Sequence, residues 1–72
     1  MRYFKVLFEN NLPVSAQRLY ELDADSIINI STRDGRRSVR SLVVYADSEE
    51  DAMAEAAELL KKYRAFFGLP DV

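Results

Sequence analysis

From Ser48 onward the chain carries an apolar stripe that a helix resting on a second layer would satisfy. Ser48-Glu49-Glu50-Asp51 has the form of a capping box, with the Ser48 hydroxyl placed to accept from the backbone N–H of Asp51. Ala52, Met53, Ala56, Leu59, Leu60, Tyr63 and Phe67 then recur at spacings of three and four, the pattern of an amphipathic helix over about residues 49–67. Glu49, Glu50, Asp51, Glu55 and Glu58 lead the stripe and Lys61, Lys62 and Arg64 close it, an order that complements the helix dipole. Gly68 is placed to end the helix and Pro70 forbids its continuation. A lone helix of this length is marginal in water, so it must lie on something.

The partner layer is expected to be an antiparallel sheet. Segments 27–33 and 36–46 flank Asp34-Gly35, a strong hairpin signal that asks for a two-residue type I′ turn. Such a turn sets Arg33 opposite Arg36, Ser31 opposite Ser38, Ile30 opposite Val39 and Ile28 opposite Ser41. Strict alternation then gathers Ile28, Ile30, Val39, Val43 and Tyr45 on the face toward the helix, with Asn29, Ser31, Arg33, Arg36, Ser38 and Arg40 on the other. Leu42 and Val44 fall outside this scheme. Either a bulge near Ser41 re-aims them, or the second face is itself partly covered.

Residues 2–9 form a further strand, with Phe4, Val6 and Phe8 on one face and Tyr3, Lys5 and Leu7 on the other. Asn10-Asn11-Leu12-Pro13 has turn chemistry. Segment 14–22 fits a strand apart from its Arg18-Leu19 pair; a short helix capped at Ser15 is the alternative, and it would need cover that so small a core struggles to provide. The expectation is one α+β domain over residues 1–72: an antiparallel meander of three to four strands with one long C-terminal helix packed across one face.

Chemistry is limited by what the chain lacks. Its 72 residues include no cysteine and no histidine, which removes thiolate metal sites, disulfides, thiol nucleophiles and the commonest general base. Ser15, Ser26, Ser31, Ser38, Ser41 and Ser48 therefore have no histidine to activate them. Asp23 and Asp25 share a face if that segment is extended and offer only a carboxylate pair. The acids between Asp47 and Glu58 have no calcium-loop spacing and read as a solvated helix face. We expect no enzyme activity, no catalytic, metal-binding or cofactor-binding residue, and no small-molecule substrate. The longest apolar run, Leu42 to Ala46, is too short to cross a bilayer, and Lys5 and Glu9 interrupt any signal-peptide pattern, so a cytoplasmic protein without membrane contact is expected.

Two surfaces stand out. Arg33, Arg36 and Arg40, interleaved with Asn29 and Ser31, would form a cationic sheet face able to follow a phosphate backbone. In architecture this resembles the sheet-face DNA readers of plants and the arm-binding domains of integrases, which set three strands against one helix, although no motif of theirs occurs here. The plainer reading is an exposed hairpin made soluble by arginines, some paired with Asp23, Asp25 or Asp47. The second surface is apolar: Tyr3, Leu7, Leu42 and Val44 away from the helix, with Phe66, Leu69 and Val72 crowding the C-terminus. Phe66 and Leu69 alternatively wrap the edge of the core. The favoured expectation is a binding or accessory domain of adaptor or inhibitor type, acting through protein contacts as a homodimer or docked on a larger partner. A nucleic-acid binder using the arginine face is the alternative, disfavoured by the chain's net charge of −2.

Overall fold

The computed structural model describes residues 1–22, 27–66 and 68–69. The elements are β1 (Arg2–Glu9), β2 (Leu12–Arg18), β3 (Ile28–Arg33), β4 (Arg36–Ala46) and α1 (Glu49–Lys62). The four strands form one antiparallel sheet with the helix packed on β1, β2 and β4, an α+β fold. Their spatial order is β2-β1-β4-β3 rather than the sequential order of a meander. The two strands with the most inward-facing bulk, β1 and β4, take the centre, where both edges are hydrogen-bonded and the helix covers one face. The shorter, more polar β2 and β3 are left at the margins. Segment 14–22 resolves into a strand that begins two residues earlier and ends at Arg18, while Asp23, Asp25, Ser26, Phe67, Pro70 and Val72 lie outside the described residues.

Both hairpins close through left-handed residues. Asn10 and Asn11 have φ of 54° and 62°, Asp34 and Gly35 of 53° and 76°, the conformation that a two-residue type I′ turn demands. Asn11 also accepts from the backbone N–H of Val39 through its Oδ1 at 3.1 Å, tying the β1–β2 turn to β4 beyond the last β1–β4 pair.

The core joins Phe4, Val6 and Phe8 of β1 to Val39, Leu42, Val44 and Ala46 of β4, with Ala52, Ala56 and Leu60 of the helix and Leu69 beyond it. A bulge in β4 decides this membership. Asn29 pairs with Ser41 and Ile30 with Val39, so Arg40 is surplus on its strand. The extra residue reverses the alternation beyond it. Leu42 and Val44 therefore turn inward, only 4% and 5% exposed, while Val43 and Tyr45 turn to the opposite face, contrary to strict alternation from the turn. Ile28 consequently pairs with Leu42 rather than Ser41. A second bulge lies in β2, where Leu7 meets Ser15 but Phe8 meets Pro13, leaving Val14 surplus. Pro13 thus occupies an irregular stretch of an edge strand, where its missing N–H is tolerated.

The helix caps at Ser48, whose Oγ accepts from Asp51 N–H at 3.1 Å. Regular α-helix stops at Lys62, five residues short of the stripe's end. The backbone N–H of Leu69 then donates to Arg64 C=O at 3.0 Å and that of Gly68 to Ala65 C=O at 3.1 Å, with Gly68 at a φ of 71°. These two bonds have the spacing of a Schellman closure, so Gly68 keeps its terminating role in a separate turn. That turn delivers Leu69 to the core at 6% exposure.

Candidate functional site

The helix covers one face of the sheet over β2, β1 and β4; Ile28 and Ile30 of β3, expected to meet it, lie on that face but beyond its reach, 42% and 37% exposed. The other, here called the outer face, carries no layer of the described structure. Tyr3 pairs with Tyr45, Lys5 with Val43, and Leu7 with Ser41 across β1 and β4, and all six side chains belong to this face. The rings of Tyr3 and Tyr45 meet edge to face at a centroid distance of 4.7 Å. Leu7 and Val43 are half-buried beside them.

Toward the Asp34-Gly35 turn the outer face becomes polar. Asn29 stands opposite Ser41, Ser31 opposite Ser38 and Arg33 opposite Arg36. Two like charges in direct register repel, which is tolerable here because both are exposed to water. Arg40, the bulge residue, opens onto the same face. It lines an open groove of about 580 Å³ together with Lys5, Leu7, Glu9, Val14, Asn29 and Ser41. Arg37 belongs to the other side: it pairs with Thr32, and a Cβ on Gly68 would stand 3.0 Å from its Nη1, so its side chain lies over the C-terminal turn.

The expected arginine surface is therefore assembled, with Arg33, Arg36, Arg40, Asn29 and Ser31 on one face. Among the described residues none of these arginines forms an ion pair; Asp47 instead meets the Met1 amine at 3.6 Å, and Asp23 and Asp25 lie outside the described residues.

The expected apolar surface is not assembled. Tyr3 and Leu7 lie on the outer face, but Leu42, Val44 and Leu69 are core residues and no longer candidates for an interface. Phe66 is 79% exposed at the far end of the helical layer, its ring edge-on to Tyr63 at 6.5 Å. In place of Leu42 and Val44 the outer face receives Val43 and Tyr45. Lys5 and Ser41 were also missed as site residues. The β1 alternation already put Lys5 on the outer face, whereas Ser41 needed the bulge position.

Comparison of the chain with protein-family models, with curated proteins and with solved structures finds no match. No helix among the described residues is long and apolar enough to cross a membrane.

Proposed function

We propose that this chain is a non-enzymatic binding domain that docks on a protein partner through the outer face of its sheet. The observation that carries this reading is the Tyr3–Tyr45 pair with Leu7 and Val43: apolar bulk at the middle of a sheet face that helix α1 leaves uncovered. Tyrosines supply contact area at small entropic cost, and flanking arginines are the cations most suited to desolvated contacts. Lys5, Arg33, Arg36 and Arg40 give the face a positive sign, so two copies pairing face to face would repel, and a distinct partner fits better than a second copy.

Sedimentation at micromolar concentration tests the occupant. A species of 8.3 kDa leaves the distinct partner standing, whereas a larger species reduced by Leu7→Glu or Tyr45→Glu replaces it with a dimer. Partner retention from its source should be lost in those two variants and kept in a helix-face variant such as Glu55→Lys. Equal retention by all of them would refute docking through the outer face.

A specific observation also keeps the nucleic-acid reading in view: five of the chain's twelve acids, Glu49, Glu50, Asp51, Glu55 and Glu58, lie on the helix, while the outer-face arginines have no ion pair among the described residues. That reading expects affinity for generic DNA that falls steeply with salt and vanishes in Arg36→Glu and Arg40→Glu.

A further inference from the structure

Ser41, on the outer face, is a buried polar residue, 2% exposed, and its hydroxyl has no hydrogen-bond partner among the described residues. Buried hydroxyls are nearly always satisfied, so an orphan just beneath an open groove is an unspent donor, which a ligand reaches as the side chains over it move aside. Around it the groove gathers Lys5, Arg40 and Asn29. Neither cation has an ion-pair partner among the described residues. One wall is apolar, formed by Leu7 and Val14, and the rim carries one acid, Glu9.

Building on docking through the outer face, we infer that this groove is a carboxylate-binding site, and that its occupant is a Glu or Asp side chain of the protein partner. The Ser41 hydroxyl and the Asn29 amide donate to the carboxylate oxygens, while Lys5 and Arg40 supply the countercharge. Two cations and one acid leave a single positive charge, matched to one monoanion. Leu7 and Val14 take the methylene stem of an acidic side chain. A continuous phosphodiester strand would have to pass Glu9, whereas a peptide can place its acid in the groove and turn away.

The test is an amide chemical-shift titration of the full chain with end-blocked hexaglutamate, set against a thymidine hexanucleotide. The expected result is saturable hexaglutamate binding that moves Lys5, Asn29, Arg40 and Ser41 together. Ser41→Ala should lower affinity about tenfold, the worth of one hydrogen bond to a charged group. Its melting temperature should not fall, because the lost hydroxyl has no partner among the described residues of the free protein; a purely structural serine would show the reverse. Arg40→Gln should weaken binding as well. Wild-type affinity in Ser41→Ala overturns the site. So does tighter binding of the hexanucleotide at the same amides, which would transfer the groove to nucleic acid. Shifts at Tyr3, Val43 and Tyr45 with none at Asn29 or Ser41 overturn the site but leave the outer face as the docking surface. No shift on the sheet at all removes both.

Discussion

Ser48 and Gly35 show how single residues set the limits of the elements they join. Ser48 has an extended φ of −147° and its Oγ meets Asp51 N–H at 3.1 Å, satisfying one of the helix's free donors. Ser48→Ala should cost about 1 kcal/mol, read as a lower thermal midpoint with the helix content kept. An unchanged midpoint would remove the cap from the energetics of the fold. Gly35 makes a different argument, because a Cβ built there meets nothing within 4 Å. Space is free, yet the φ of 76° is one that β-branched residues resist, at a cost of roughly 1–2 kcal/mol. Gly35→Val should therefore lower the denaturation midpoint, and Gly35→Asn, which tolerates the left-handed region, should lower it much less. Equal losses in both would place the cause outside the turn conformation.

At the scale of elements, β4 decides which residues face the core, and its register separates what was legible in the chain from what was not. The helix start, β1, the Asp34-Gly35 turn and the pairing of the hairpin as far as Val39 all follow from local chemistry, since caps, turns and alternation are written in neighbouring residues. Arg40 as a surplus residue is not written that way. Leu42, Val43, Val44 and Tyr45 are all apolar, so their sequence permits either alternation, and only the competition between two long-range pairings, to β1 and to β3, selects one. The strand order and the path of residues 63–66 and 68–69 were obscured for the same reason. They depend on where β1 docks and on the pocket that receives Leu69. The bulge makes a sharp prediction. Deleting Arg40 removes the surplus residue and leaves Val39, Leu42 and Val44 inward on a regular strand, so that variant should still melt cooperatively. Deleting Val43 instead turns Val44 outward and disturbs every later pair with β1. Each large apolar side chain so displaced forfeits about 1.5–3 kcal/mol of burial, and circular dichroism should show no folded baseline. Collapse of both variants would mean that the bulge itself is needed for the β1–β3 spacing.

For the whole molecule, the consequence of one helix on four strands is a core with a definite outside. A domain of this size buries only about 60% of the surface its unfolded chain exposes, so the outer face carries no second layer among the described residues and Tyr3, Lys5, Leu7, Val43 and Tyr45 stay at least partly in water. The acidic helix and the cationic outer face then divide the charge between the two layers, which a net charge of −2 conceals. Adjacent residues of β4 test this division directly. Val44 is buried at the centre of the core beside Phe4, and Val43 sits next to it on the outer face opposite Lys5. Val44→Glu forces a carboxylate into apolar surroundings with no partner, a penalty that a thin core has no reserve to absorb, so the variant should lose its cooperative thermal transition. Val43→Glu puts the same carboxylate near the Lys5 ammonium in water, so its melting temperature should lie within a few degrees of the parent while partner docking is lost. The contrast is worth more than either variant alone, because it isolates recognition from folding with two identical chemical changes one residue apart. Should Val43→Glu unfold the chain as Val44→Glu does, the outer face is a second core surface that a constitutive partner must cover for the domain to be stable.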